Sequence, residues 1–231
     1  MINKNKICVI GGAGHVGAPL GLVFSSKGYN VTLLDKDKKN IEKINQGKMP
    51  FLEEGSSKLL KQMIFKNKIF ATNKLSEVKK NKYIIVCIGT PINNQLDPNL
   101  KSFINFFYSL REHINKNHII IIRSSIYPGI CNRVYQIIKN SCKNLSYCPE
   151  RIVQGKAISE LPKLSQIISG KNNKAKLESG KLFKKVSKKI IYTSIIEAEL
   201  IKLFSNAYRY INFSISNQFY MICKNQNLDF F

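Results

Sequence analysis

The chain has 231 residues, 44% of them hydrophobic, and carries 37 basic against 14 acidic side chains, a formal net charge of +23. That apolar share is globular, and no apolar stretch reaches the ~20 residues a bilayer-spanning helix needs. A strand pattern starts by residue 6, which leaves no room for a secretory leader, so the expectation is a cytoplasmic protein with no membrane partner. Six cysteines (Cys8, Cys87, Cys131, Cys142, Cys148, Cys223) form no CxxC pair and no Cys/His cluster. They read as reduced thiols, with no disulfide frame and no metal site. Lysine rises with asparagine and isoleucine along the whole chain, as an AT-rich coding sequence would produce. The lysines are dispersed, among them Lys36, Lys38, Lys61, Lys68 and Lys79. A solvated surface is therefore favoured over a nucleic-acid face, although the excess charge can still attract an anionic ligand.

In chain order, Ile7–Ile10 reads as a short buried strand running into Gly12-Ala-Gly14-His15-Val16-Gly17, after which Leu20, Leu22, Val23 and Phe24 set a helical pattern. Strand, glycine turn and helix in that order give a dinucleotide-binding signature. Gly12 permits the tight turn, Gly14 lets backbone approach a pyrophosphate, and Gly17 allows helix to pack on strand. The free amides and the positive end of the helix then face the phosphates, with His15 and Val16 lining the turn. The next strand, 30–35, ends in Asp35, 18 residues past Gly17. A carboxylate there accepts from the adenosine ribose hydroxyls and repels a 2′-phosphate, which favours NAD over NADP. The plainer alternative is a glycine-rich turn followed by a strand-end helix cap.

Helices are predicted over 38–47 and 57–65, and a third strand over 68–72. Tyr83–Ile88 is a continuous apolar run, as in a parallel strand covered on both faces. It ends in Gly89-Thr90-Pro91, at a carboxyl edge where open α/β sheets hold ligands. A helix over 100–115, a strand over 118–123, the loop Ser124-Ser125-Ile-Tyr-Pro-Gly129 and a helix to about residue 140 follow. Short strands at 145–148, 166–169 and 190–193 flank a helix over 174–186, and one uninterrupted helical pattern runs from 195 to about 225. The fold expected is α/β, a doubly wound, Rossmann-like, mainly parallel sheet followed by a long C-terminal helix. Composition shifts near residue 194, where the glycines stop, giving a domain over 1–193 and the start of another over 194–231.

Five motifs together resemble the UDP-glucose/GDP-mannose dehydrogenase family of nucleotide-sugar dehydrogenases, which oxidise a sugar 6-hydroxymethyl group to a carboxylate with two NAD. They are Gly12–Gly17, Cys87-Ile-Gly-Thr90-Pro91, Ser124-Ser125-Ile-Tyr-Pro128-Gly129, Cys148-Pro149-Glu150-Arg151-Ile-Val-Gln-Gly155, and Glu199-Leu-Ile-Lys202-Leu-Phe-Ser-Asn206. His15 stands where the family has Tyr and is expected to line the turn, not to act as a base. The Pro-Glu-Arg form is most similar to the branch acting on UDP-N-acetylhexosamines such as UDP-N-acetylmannosamine, in polysaccharide biosynthesis.

The resemblance implies catalytic roles for Lys202, Asn206, Glu150 and Ser125. It implies substrate contacts from Glu150, Arg151, Lys202 and Asn206, and cofactor contacts from Thr90 and Pro91. Lys202 and Asn206, four apart, share a helix face, and an ammonium beside an amide can donate to a developing oxyanion. Without the resemblance they read as a solvated Lys and a mid-helix Asn. Glu150, in a loop beyond a strand, is placed to handle a proton or position water, with Ser125 helping to hold that water. Without the resemblance, Glu150 reads equally as a cap or surface residue. The family's chemistry also needs a cysteine in a glycine-rich segment and a UDP-gripping C-terminal domain, and neither is in this sequence. The expectation is therefore a chain truncated before the catalytic Cys and not competent alone. A homodimer through the final helix and a separately encoded C-terminal half stay open as partners. Alternatives are a 6-phosphogluconate or β-hydroxyacid type dehydrogenase, and a non-catalytic NAD-sensing or basic nucleic-acid-binding module.

Overall fold

The computed structural model describes residues 3–90 and 100–231. Eight strands form one sheet: β1 (Asn3–Ile10), β2 (Asn30–Leu34), β3 (Ile69–Thr72), β4 (Asn81–Val86), β5 (Ile119–Ile122), β6 (Leu145–Tyr147), β7 (Gln166–Gly170) and β8 (Ile190–Tyr192). Their spatial order is β3-β2-β1-β4-β5-β6-β7-β8. The first six follow the doubly wound dinucleotide-binding order, which reverses direction between β1 and β4. All pairs are parallel except β6 with β7. The four isoleucines of β5 are all buried because helices cover both faces.

The helices are α1 (Gly17–Ser26), α2 (Lys38–Asn45), α3 (Ser56–Phe65), α4 (Leu100–Leu110), α5 (Ile130–Ile138), α6 (Ala157–Glu160), α7 (Asn173–Phe183) and α8 (Ile195–Asn225). Two elements escape the periodicity reading: the 3-10 turn over Leu75–Lys80 and the single turn α6, both too short to show a period. One core lies between β1, β2 and α1, centred on Leu20, Phe24 and Phe183. The other lies between β4, β5 and helices α4 and α5, centred on Phe103, Phe107 and Val134.

Helix α8 begins with a capping box, in which Ser194 accepts from Glu197 N and Glu197 accepts from Ser194 N. Only its first two turns are gripped by the domain, through Ala198, Glu199 and Lys202. Beyond them Tyr208, Ile211, Phe213 and Phe219 are exposed. Among the described residues no helix is long and apolar enough to cross a membrane, and no group of three or more His, Cys, Asp or Glu side chains converges as a metal site would require.

Candidate active site

The glycine turn is closed by backbone, with Gly11 N and Gly12 N both donating to Leu34 O at 2.9 and 3.0 Å. A Cβ on Gly17 would lie 2.2 Å from Gly11 O, and one on Gly12 2.6 Å from Val9 O. Both glycines are therefore required by close approach of helix, turn and strand. Gly14 differs, since its Cβ would meet only Gly11 O at 3.4 Å and otherwise points into the open crevice. Among the described residues the amides of His15, Val16 and Gly17 have no acceptor, which leaves an anion seat at the start of α1. The His15 ring is exposed and packs on Phe51, with centroids 4.0 Å apart.

Asp35 is fixed by three amides: Oδ2 accepts from Ala13 N at 2.9 Å, and Oδ1 accepts from Lys36 N and Asp37 N at 2.8 and 3.1 Å. Oδ2 retains capacity for a further donor. Two cavities meet along the wall Cys87-Ile88-Gly89. One, about 510 Å³, runs past Gly14, Asp35 and Phe106. The other, about 440 Å³, is lined by Val16, Thr90, Ser125, Glu150, Lys202 and Arg209 among others. Together they form one crevice across the carboxyl edges of β1 and β4, where the strand order reverses. A bare glycine backbone, three free amides and a carboxylate along such a crevice fit an extended dinucleotide. Gly14→Ala should weaken NADH binding at least tenfold while leaving the melting temperature within about 4 °C of the parent. Gly17→Ala should cost more than about 3 kcal/mol in folding, because backbone must move. Calorimetric and thermal titrations of the two variants check this.

Glu150 is 6% exposed, and its carboxylate is fully engaged. Oε2 accepts from Arg123 Nε at 3.0 Å and from Arg123 Nη2, while Oε1 accepts from Arg151 N and Ile152 N at 2.7 and 3.1 Å. A carboxylate offers about four acceptor positions, and all four are taken. In this arrangement the side chain anchors its loop. Arg123 is itself wholly buried, stacked 4.7 Å over Phe183 and donating Nη1 to Gln166 Oε1 at 3.1 Å.

The loop carboxylate thereby presents its own main-chain carbonyl, which accepts from Lys202 Nζ. Burial pulls the Lys202 ammonium below the ordinary lysine range; Glu150 opposes that, and Arg209, Arg123 and Arg151 reinforce it. Thr90 Oγ1 donates to Ser125 O at 2.7 Å, tying the β4 edge to the Ser125 loop and leaving the Ser125 side chain exposed at the cleft. Glu199, 0% exposed, accepts from Gly129 N and Cys131 N at 2.8 and 2.9 Å.

Of the residues read from the sequence, the crevice gathers Gly14, Val16, Asp35, Thr90, Ser125, Glu150 and Lys202. It does not gather Arg151, which is exposed, or Asn206, whose Oδ1 accepts from Arg209 Nη2 at 3.4 Å outside the cleft lining. Pro91 lies outside the described residues. Arg123, Gln166 and Arg209 are contributors that the sequence reading passed over, and Glu199 entered it only as part of a motif, without a role.

Fold and crevice define an α/β dinucleotide-binding domain. Residues 5–196 match the sequence model of the UDP-glucose/GDP-mannose dehydrogenase family, NAD binding domain, and the chain belongs to that family. It is similar to the UDP-N-acetyl-D-mannosamine dehydrogenase of Methanococcus vannielii, 32% identical over 223 residues, which are 94% of this chain and 51% of that protein. The enzyme of the same name from Pyrococcus horikoshii is 28% identical over 225 residues, 94% of this chain and 53% of that protein. A solved UDP-D-ManNAc dehydrogenase from Pyrococcus horikoshii superposes with a TM-score of 0.88 over 96% of this chain and 54% of that one. The ternary complex of GDP-mannose dehydrogenase from Pseudomonas aeruginosa, 23% identical, shares the fold at a TM-score of 0.89 over 96% of this chain and 54% of that one. The chain spans about half the length of the curated relatives it matches.

Proposed function

We propose that the chain is the NAD-binding portion of a nucleotide-sugar 6-dehydrogenase that oxidises the primary alcohol of a UDP-N-acetylhexosamine in polysaccharide biosynthesis. The observation that carries the reading is the convergence of Val16, Thr90, Ser125, Glu150 and Lys202 on one cleft contiguous with the glycine turn. The names of the two curated relatives and the Pro149-Glu150-Arg151 segment support the N-acetylhexosamine choice.

In this reading the amides of the turn hold the pyrophosphate, Asp35 accepts from the adenosine ribose, and Val16 and Thr90 border the nicotinamide end. NAD, when bound, supplies the hydride acceptor. Lys202 has one of its three ammonium donors on the Glu150 carbonyl and two left to stabilise an alkoxide or tetrahedral oxyanion. Glu150 serves by holding that carbonyl still, and Ser125 offers a hydroxyl at the cleft mouth. Asn206 and Arg151 would reach substrate only with a change of side-chain position. No cysteine of this chain is assigned the thiol step that the resemblance implies. Cys8, Cys131, Cys142 and Cys148 are buried with thiol pKa values pushed up, first by desolvation. Cys87 lines the cleft wall, but burial pushes its thiol up to about 12 against the opposing Arg123 charge, and Cys223 does not line the cleft. The apolar length of α8 is read as the start of a central helical segment through which two copies pair.

Calorimetry of the folded chain tests the cofactor assignment. NADH should bind at least tenfold more tightly than NADPH, and Asp35→Asn should shrink that ratio about tenfold, some 1.4 kcal/mol. Absence of any heat with NADH would remove the reading altogether.

A further inference from the structure

The Glu-x-x-Lys-x-x-x-Asn motif contains a residue that neither cofactor nor substrate explains. Glu199 is 0% exposed, a place where an ionised carboxylate persists only if fully compensated. Its compensation comes from another helix. Helix α5 has Gly129 at its N-cap, with φ +92° and no side-chain cap of its own. Glu199 supplies the missing acceptor from α8, taking Gly129 N on Oε2 and Cys131 N on Oε1. The negative charge also faces the positive end of α5.

What this contact controls follows from what hangs on either side of it. On the α5 side lies the loop that carries Ser124 and Ser125. Its other end is fixed to the sheet by Arg123 N donating to Val86 O at 2.9 Å, and its middle by Thr90 Oγ1. On the α8 side, one turn further on, Lys202 reaches the Glu150 carbonyl. Residues 199 and 202 are neighbours on one helix face, so the helix holds two loops at once, the carboxylate gripping the β5 loop and the ammonium the β6 loop. Past this pair α8 leaves the body, with Phe204 66% exposed and Tyr208 71% exposed. Ala198, with Ile195 and Ile201, seats this first part of α8 on the second core, and the Glu199 contact is the polar tie beside it.

We propose that Glu199 is a positioning residue: by capping α5 from α8, its carboxylate sets both the Ser125 loop and the reach of Lys202 to the Glu150 carbonyl. The clamp is a property of this geometry; its consequence for chemistry rests on the cleft reading given above.

The test follows the ionisation of Lys202 itself. In chain labelled at its lysine side chains and saturated with NADH, the Lys202 resonance, assigned with Lys202→Arg, is titrated by NMR in the parent, in Glu199→Gln and in Glu199→Asp. Val134→Ala, in the core under α5, serves as a control that lowers stability without touching the clamp. In the parent Lys202 titrates below the exposed lysines. In Glu199→Gln it should move up into their range, because the released ammonium regains water, and Glu199→Asp should fall between the two. Val134→Ala should lower the melting temperature and leave the Lys202 titration where it was. If Lys202 titrates alike in the parent and both Glu199 variants while the melting temperature falls, Glu199 is a cap and nothing more. If the parent fails to bind NADH but the titration still moves, the clamp stands and the cofactor reading is what fails.

Discussion

Arg123→Met should lower the melting temperature by about 6–20 °C. Removing one partner of a buried ion pair costs about 3–5 kcal/mol, because the other charge stays behind without compensation, and each kcal/mol moves the midpoint of a domain this size by about 2–4 °C. The Arg123 side chain has 0% exposure, and it connects three parts of the molecule. It ends β5, holds Glu150 of the loop after β6 through two nitrogens, and reaches Gln166 at the start of β7 while lying over Phe183 of α7. Glu150→Leu alone should be comparably harmful, since it strands the guanidinium. The pair Arg123→Met with Glu150→Leu should recover much of the loss, as apolar replacement of whole buried pairs does elsewhere. That double variant should nonetheless bind NADH more weakly, because the 150–152 loop loses the carboxylate that organises its amides. Thermal melts of the four proteins form a double-mutant cycle, and additivity of the two single losses would show that the pair is not coupled.

Arg123 also shows what a sequence does and does not disclose. The β1–turn–α1 unit is legible because apolar spacing and glycine positions are local facts, and α8 is legible because no Gly or Pro interrupts its period. An arginine closing an isoleucine strand, by contrast, reads as a solvated charge. Its burial depends on Phe183 and Glu150, 60 and 27 residues away in the chain. For the same reason Glu150 is visible as a loop carboxylate while its four donors are not. Helix phase accounts for the contrast along α8. Seven residues bring an α-helix to within about 20° of its starting direction, whereas four carry it about 40° past. Lys202 and Arg209 therefore line the cleft and Asn206 lies to the side. The spacing was available in the sequence, but which of the two rows faces the cleft was not. Arg151 contributes its main-chain amide to Glu150 while its side chain is exposed. Glu199 was printed in the motif, yet its partners belong to a helix that begins about 70 residues earlier, with a glycine at a cap position that side-chain rules leave empty.

Stability should collapse on the alkaline side, beginning near pH 9 under reducing conditions. Cys8, Cys131, Cys142 and Cys148 are each 0% exposed. Burial is the first cause raising all four thiol pKa values. The Glu77 charge adds to the rise at Cys8, and Glu199 adds to it at Cys131 by charge and hydrogen bond; Cys148 is pushed up to about 12 despite the opposing Arg123 charge. In the unfolded chain a thiol titrates near 8.5. Between that value and the raised folded values, the unfolded chain has released protons that the folded chain keeps. Stability contributed by these groups is complete below pH 8.5 and is lost as pH rises, by about 1.4 kcal/mol per unit per thiol. Cys87, on the cleft wall, is likewise pushed up to about 12 by burial, so the thiols together lose several kcal/mol per unit, set against a total of about 5–15 kcal/mol for an ordinary domain. Tyr83 and Tyr147, both raised chiefly by desolvation, steepen the loss above pH 10. Lys202 acts in the opposite sense, because a base with a depressed folded value gains stability as pH rises toward the ordinary lysine range. It is one group against five thiols, so the descent should win. Replacing Cys142 and Cys148 by Ala should lower stability at pH 7 through lost packing and yet reduce the slope above pH 9. A melting temperature that stayed level from pH 8 to pH 10 would mean that these thiols ionise in place, and that the interior around β6 admits water.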